Sequence, residues 1–315
     1  MVNIPPKKKM GGVLFYVINP LLQIRDKTCT LYSMKAKRLF LFAGYNAAGI
    51  VDDALVYYVK SLSKFGDVVL VMDSDCPDSE LKKVQKFTVY ASAVRHGEYD
   101  FGSYKRAYIW ATENLKLSDY NYVYMVNDSV YGPPYDLTPY FSEMESGTCD
   151  AFGLVKNPHR DHPHIQSWFI GLRPSVFLTD WYDQFMRNIT KQPYKGAITR
   201  EYEQGLSRNI LSHNLTWCCM YSVRNRGVYN KIKKLYHTKM PFMKKVAFNR
   251  NHGALGRQIL YVLNHITPAT RDAIITSARA QYGEKNVDWL LTKNPVKIMA
   301  RQIHHAIYKL FIEGI

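Results

Sequence analysis

Five cysteines in 315 residues are too few, odd in number and wrongly spaced for the frameworks that cysteines usually build. Cys29, Cys76, Cys149, Cys218 and Cys219 form no C-x-x-C pair, which excludes a zinc ribbon and a disulfide scaffold and leaves reduced thiols in a packed core as the expectation. No stretch reaches the roughly 18 consecutive apolar residues of a membrane-spanning helix. The apolar segment behind the first lysines, VLFYVINPLL, is broken by Pro20 and lacks a small-residue cleavage site. A cytoplasmic protein is therefore expected. Repeats of fixed period and low-complexity tracts are absent as well, which excludes a solenoid.

Acidic residues are scarce in one region only. Residues 223–315 hold 17 Lys+Arg against 4 Asp+Glu, a net of +13, whereas residues 1–222 hold 25 against 22, a net of +3. The basic character thus belongs to the tail. Such a field attracts phosphates, in nucleic acid or at an anionic lipid surface.

What is present from Lys37 onward is alternation of short apolar runs with helix-length amphipathic segments. RLFLFAGYN (38–46), DVVLVMDSD (67–75), FTVYAS (87–92) and YVYMVN (122–127) read as strands, and DDALVYYVKSLSKFG (52–66) and DFGSYKRAYIWATENL (100–115) as helices. CDAFGLVKN (149–157) and SWFIGLRPSVF (167–177) read as strands around a polar loop, followed by a helix over 201–214 and a last strand over 215–223. This order predicts an α/β fold, a Rossmann-type, mostly parallel sheet flanked by helices. Ligands of such sheets bind beyond the carboxyl ends of the strands. Three segments follow: an N-terminal extension (1–36), the α/β domain (37–223) and a basic, mainly helical region (224–315). Within the last, Thr267 and Pro268 open a helix. The closing NPVKIMARQIHHAIYKLFIEGI places Met299, Ile303, Ile307 and Leu310 on one helical face and Arg301, His305 and Lys309 largely elsewhere. That pattern suits a helix lying in a membrane interface, or one packed on its own domain.

Four polar constellations fall at predicted strand or helix ends. Asn127, Asp128 and Ser129 end a buried strand, where Asp128 can bind a hard cation, Mg²⁺ or Mn²⁺, and its neighbours a sugar or phosphate oxygen; residues of these types also make ordinary turns. HGEYDFGSYKRAY (96–108) offers Gly97 and Gly102 for close backbone approach, Asp100 and Ser103 at a helix start, and Lys105 and Arg106 behind them. This suits a diphosphate and its sugar, or simply a capped helix. In the loop near His159, His162 and His164 no HExxH or matching cysteine supports zinc, so His164, Gln166 and Ser167 are read as facing sugar or acceptor. Glu201 and Glu203, at a helix start, can supply a general base or stabilise the helix dipole.

Taken in order, EYDFGSYK (98–105), MVNDSVYGP (125–133), CDAFGL (149–154) and HIQSWF (164–169), with YEQGLSRNIL (202–211) as a looser match, resemble the rhamnan-synthesis protein F family of bacterial polysaccharide glycosyltransferases. The resemblance runs from Lys37 to about Val223. It implies a GT-A-like domain that moves L-rhamnose from dTDP-L-rhamnose onto a lipid-linked cell-surface polysaccharide, O-antigen or cell-wall glycan, at the inner face of the cell membrane. By position, NDS stands where many GT-A enzymes carry Asp-x-Asp for metal and diphosphate. With Asp128 its only carboxylate, metal dependence stays open, and Lys105 or Arg106 are alternative counter-charges for the leaving diphosphate. By similar placement Glu203 is the base and Glu201 its reserve; a β-linked donor would give an α-rhamnoside with inversion. The nucleotide is expected against the first two strands, near Ala43, Gly44, Tyr45, Asp73 and Asp75.

Other readings stay open from the residues themselves. The scaffold suits UDP-galactofuranose or a UDP-hexose equally, because sugar choice depends on pocket shape. The basic tail alone could serve a nucleic-acid-binding protein, although it lacks a recognised motif and no nucleic acid is expected as partner. A hydrolase using zinc at the histidine loop is a third reading. For the tail, an anionic membrane surface is the expected partner.

Overall fold

Apolar runs rich in Val, Leu and aromatics form strands that can be covered on both faces. The computed structural model describes residues 7–10, 13–16, 36–224, 226–250 and 254–312. Its strands are β1 (Lys7–Met10), β2 (Val13–Tyr16), β3 (Arg38–Gly44), β4 (Asp67–Met72), β5 (Tyr90–Ala93), β6 (Tyr122–Asn127), β7 (Val130–Tyr131), β8 (Ala151–Asn157), β9 (His164–Ile165), β10 (Phe169–Leu172), β11 (Trp217–Ser222) and β12 (Met243–Lys244). Every residue of β3 and β6 is buried. The remainder of the expected extension over 1–36, with Cys29, lies outside the described residues.

One sheet runs in the order β1-β2-β11-β8-β10-β6-β3-β4-β5, with β9 paired to β8. β3 pairs in parallel with β4 and β6, β4 with β5, and β8 with β11. β10 is antiparallel to both its neighbours. The expected class, α/β with a mostly parallel central sheet flanked by helices, is what the structure shows. Register brings Gly44 opposite Met72 and Ala43 opposite Asn127, so β3, β4 and β6 release their next residues at one edge. Because β10 is reversed and Phe169 faces Val126, the residues that precede it, Ser167 and Trp168, arrive at that same edge.

Several elements depart from expectation for local reasons. The strand predicted over 167–177 stops at Leu172, because Pro174 begins a short helix, Pro174–Phe177, where its missing N–H is harmless. The third strand starts at Tyr90 rather than residue 87. The helix predicted over 201–214 is preceded by a π turn, Thr199–Glu203, before the regular helix Gln204–Ser212. Thr267 caps the helix Pro268–Tyr282 by accepting from the Thr270 N–H, as its position next to Pro268 predicts.

The described chain divides into two compact units. The first comprises the described residues up to 51 together with 58–128 and 136–224; the second, 52–57, 129–135 and the described residues from 226 onward. In the first, the helix Tyr99–Asn114 covers one sheet face, burying Phe101, Tyr104 and Ala107 against Leu39, Leu41, Val123 and Met125. The opposite face carries an aromatic stack in which Phe40 meets Tyr124 at 5.2 Å and Phe141 at 5.8 Å. The second unit has its own core around Phe248, Leu255, Ile259 and Ile274, with β7 and β12 as a two-stranded ribbon. Among the described residues no helix is long and apolar enough to cross a membrane.

At the amino end of β3 a buried guanidinium ties sheet to helix. Arg38 Nε and Nη2 each donate to the Glu145 carboxylate at 2.6 Å, and the Tyr124 hydroxyl donates to Glu145 Oε1 at 2.7 Å. Burial alone would lower the Arg38 pKa, but the Glu145 bond and charge outweigh it and hold the guanidinium charged. A paired charge that loses its partner inside a protein typically costs about 3–5 kcal/mol. Glu145→Ala is therefore expected to lower unfolding free energy by that order in urea titration. A loss under about 1 kcal/mol, the range of exposed pairs, would show that the pair carries little.

Candidate active site

The carboxyl edge of the sheet gathers polar residues because the register leaves them nowhere else to go. Tyr45 follows β3 and is exposed, Asp73 follows β4 and is buried, and Asp128 follows β6 and is half-buried. The loops after β3 and β4 are tied together. The Ser74 hydroxyl accepts from the Asn46 N–H at 2.8 Å and donates to the Asn46 carbonyl at 2.9 Å. Arg95 lies over the Tyr45 ring at 5.8 Å and reaches Asp75 at 3.3 Å.

Residues from four distant segments form one hydrogen-bonded chain at this edge. Asn127 Nδ2 donates to Asp100 Oδ2 at 3.0 Å. The Ser167 hydroxyl lies 3.3 Å from that same oxygen and 3.1 Å from Glu203 Oε2. His164 Nε2 lies 3.4 Å from Glu203 Oε1. Asn127, Ser167 and His164 are buried while Asp100 and Glu203 are half-buried, so the two carboxylates remain reachable from outside. Tyr104, inside the core, holds the loop by donating its hydroxyl to the Ser167 carbonyl at 2.9 Å. The π turn carries Glu203 to this point, and such turns recur at functional sites.

Proton counting constrains the chain. A serine hydroxyl has one proton, so Ser167 donates to Asp100 or to Glu203 but not to both at once. His164 Nδ1 donates to the His162 carbonyl at 2.7 Å, since a carbonyl can only accept. Burial lowers the His164 pKa, but the bond to Glu203, the His162 carbonyl and the Glu203 charge together raise it above its ordinary value. Glu203 is thus a positioned carboxylate with one oxygen toward the His164 imidazole and the other on a rotatable hydroxyl.

A second, structural knot lies beside it. Asp73 Oδ1 accepts from the His96 and Gly97 N–H groups at 2.8 and 2.9 Å. The Glu98 N–H donates to His96 Nδ1 at 3.1 Å, so Nε2 carries the proton toward Ser103 Oγ at 3.0 Å. Burial and the Arg106 charge hold the His96 pKa below its ordinary value, and the ring is neutral. Gly97 has φ +68, and a Cβ at Gly102 would lie 2.7 Å from the His96 ring and 2.3 Å from Glu98 Cβ. Gly102 therefore closes this packing. Tyr99, exposed with φ +59, holds an uncommon conformation for an aromatic residue directly before Asp100.

The structure brings Asp100, Asn127, His164, Ser167 and Glu203 together in one chain, with Tyr45, Asp73 and Asp128 at the same sheet edge, and several other sequence candidates are engaged with other partners. Lys105 Nζ donates to the Ile189 carbonyl at 2.7 Å, and Arg106 pairs with Glu98 at 2.7 Å; both cations are engaged within the fold. Gln166 accepts from the Trp168 indole at 2.8 Å. Glu201 is exposed and paired with Arg200 at 2.8 Å. The Ser129 hydroxyl belongs to the second unit and accepts from Lys244 at 2.9 Å. Gly44 packs its backbone against Met72, whose Cγ would lie 2.9 Å from an added Cβ. The sequence reading missed His96, Tyr99 and Tyr104 as site-shaping residues, although all three sit in the block 96–108.

The donor set for a cation is narrow. The described residues hold no group of three or more His, Cys, Asp or Glu that could ligate a metal. His159 and His162 stack on each other at the exposed surface, ring centroids 5.9 Å apart, while His164 turns to Glu203, so the three histidines do not converge. The described residues thus offer a hard cation no ready-made cage, and such an ion would need a ligand's phosphates to complete its shell.

The His164–Glu203 pair has a pH signature. A histidine whose pKa rises on folding adds stability that is full below its unfolded value and fades as pH climbs through the folded one. The thermal stability advantage of the native protein over Glu203→Gln is expected to be largest below about pH 6.5 and to shrink above it. A pH-independent difference in melting temperature across that range would show that His164 does not titrate against Glu203.

Similarity to known proteins was found at two levels. The pattern of the rhamnan synthesis protein F family matches residues 68–310, a span that includes Asp73, Asp100, Asn127, Asp128, His164, Ser167 and Glu203. No curated protein matches the chain. Among solved structures, the mannosyltransferase Ktr4p from S. cerevisiae aligns with TM-score 0.33 and 11% identity over 59% of this chain and 65% of the yeast chain. Its complex with GDP aligns with TM-score 0.31 and 10% identity over 59% and 66%. Both alignments span less than two thirds of the yeast enzyme's chain. The family match, by contrast, takes in well over half of the sequence, and the chain belongs to the rhamnan synthesis protein F family.

Proposed function

We propose that the first unit is a GT-A-like glycosyltransferase that moves a sugar from a nucleoside diphosphate donor onto a growing polysaccharide. The observation that carries this reading is the chain Asn127–Asp100–Ser167–Glu203–His164 at the carboxyl edge of a mostly parallel sheet. Family membership supports the substrate class, and the family's description favours L-rhamnose, carried as dTDP-L-rhamnose. A UDP-galactofuranose or UDP-hexose donor is the runner-up. The acceptor in this reading is a lipid-linked glycan, which puts the enzyme at the inner face of the cell membrane.

The residues divide the work as follows. Exposed Tyr45, with Arg95 across its ring, offers the nucleobase a stacking face. Asp128, at the end of β6, lies on the diphosphate side, where a Mg²⁺ or Mn²⁺ ion held with the donor's phosphates would supply counter-charge. Asp100 and Asn127 bind sugar hydroxyls. In a single displacement the acceptor oxygen bonds to the anomeric carbon while the bond to the diphosphate breaks, its electron pair leaving with the phosphate oxygen. The acceptor's proton passes to Glu203. His164 fixes one oxygen of that carboxylate, and Ser167 turns its proton toward Asp100 as Glu203 becomes protonated. One such step inverts the anomeric centre.

Removing a general base typically costs about 10²- to 10⁴-fold in rate. Glu203→Gln is expected to lower transfer by that factor while donor binding, followed by dTDP titration, stays within a few fold; full activity would remove Glu203 from the mechanism. Asp128→Ala, folded by circular dichroism, is expected to abolish transfer, and an active variant would return Asp128 to the role of a turn residue. Both are best measured against a panel of nucleotide sugars, in which turnover of a UDP-hexose but not dTDP-L-rhamnose would replace the sugar named here.

A further inference from the structure

The helix Pro295–Ile312 exposes an apolar stripe and buries an arginine. With about 100° of rotation per residue, Val296, Met299, Ile303 and Ile307 share one narrow face while Arg301 lies across the axis. In a water-soluble unit the apolar face turns inward. Here the four apolar side chains are 67%, 57%, 52% and 49% exposed, whereas Arg301 is 1% exposed. The side chains of His305, Lys309 and Leu310 lie outside the described ones.

The inversion is built into the packing. Arg301 Nη1 donates to the Trp289 carbonyl at 2.9 Å and to the Leu290 carbonyl, closing the end of the helix Glu284–Leu290. Gly256 makes room for it: a Cβ there would come within 3.0 Å of both terminal guanidinium nitrogens. Arg301 Nε and Nη2 are buried with no hydrogen-bond partner, which is unfavourable. A fold that holds this arrangement leaves an apolar strip available to something other than itself.

We infer that this face docks on an anionic lipid surface. Charge selects that occupant. The region 223–315 carries a net charge of +13, and Lys297 on this helix, Lys293 just before it and Lys285 in the preceding helix are exposed. Two copies of so basic a region repel each other, while anionic headgroups neutralise it. Trp289, 41% exposed at the base of the helix, is the residue type enriched at the bilayer interface. An interfacial helix needs an apolar face flanked by cations, and both are present. The inference stands independently of the transfer reaction proposed above.

The test uses the full chain with vesicles of phosphatidylcholine alone or with phosphatidylglycerol added. Co-sedimentation is expected with the anionic vesicles, weakening as salt rises. The double variant Ile303→Asp, Ile307→Asp changes only exposed positions, and matching circular dichroism and melting curves would show it folded. Its partition coefficient is expected to fall about tenfold or more. Equal binding by variant and native protein overturns the proposal, as does native protein that ignores anionic vesicles. A native dimer in sedimentation velocity that the same substitutions convert to monomer, without vesicle binding, would assign the face to a second copy instead.

Discussion

Everything at the candidate site depends on the pairing register of three parallel strands and one reversed strand. Gly44 opposite Met72 and Ala43 opposite Asn127 make β3, β4 and β6 end at one level, and β10 enters the sheet from that level because Phe169 pairs with Val126. A slip of one residue would exchange the faces of a whole strand. In β6 it would carry Asn127 away from Asp100 and drive Tyr124 out of the bond to Glu145. The buried Arg38–Glu145–Tyr124 knot at the opposite end of the sheet makes that slip expensive. Its distance from the site does not reduce its part in forming it.

The parts of this arrangement legible in the sequence are those encoded locally. Apolar runs such as LFLFAG and VVLVM announce strands covered on both faces, and Thr267–Pro268 announces a helix start, because each depends on neighbours a few residues away. The residues of the hydrogen-bonded chain can be singled out one block at a time, since Asp100, Asn127, Ser167 and Glu203 each stand at the end of a predicted element. Their meeting is not legible. Ser167 reaches Asp100 across 67 positions and Glu203 across 36, and only the reversal of β10 brings them there. Composition gives no sign of that reversal, and the one hint is the short helix-free loop between the strands read at 149–157 and 167–177, too short for a parallel crossover.

The same logic explains candidates that lie elsewhere. Lys105 and Arg106 have the charge that a diphosphate calls for, but a helix delivers side chains around its whole circumference, and these two find the Ile189 carbonyl and Glu98 instead. Asp73 sits at a strand end suited to a ligand and yet spends one oxygen on two backbone N–H groups. Periodicity in the terminal helix shows that a stripe exists without showing which way it faces. Orientation came down to Arg301 and the absence of a side chain at Gly256, 45 residues earlier, a partnership invisible to any helical wheel.

Two imidazoles on the same edge show how one residue type is set to opposite states by its donors. His96 is buried with Arg106 nearby and receives a backbone N–H on Nδ1, so a second proton is disfavoured and the ring serves as a neutral strut. His164 gives its Nδ1 proton to a carbonyl and faces Glu203, so the second proton is favoured despite burial. The difference turns a ring that favours its second proton toward Glu203 and one that disfavours it toward Ser103. Glu203 is held by His164 at one oxygen and by Ser167 at the other, so its geometry is defined. In the transfer reaction proposed above, Glu203 gains a proton, and the serine is then free to turn wholly to Asp100. Under that proposal proton uptake at one carboxylate would be coupled to a stronger hydrogen bond on the other, through a single hydroxyl that cannot serve both.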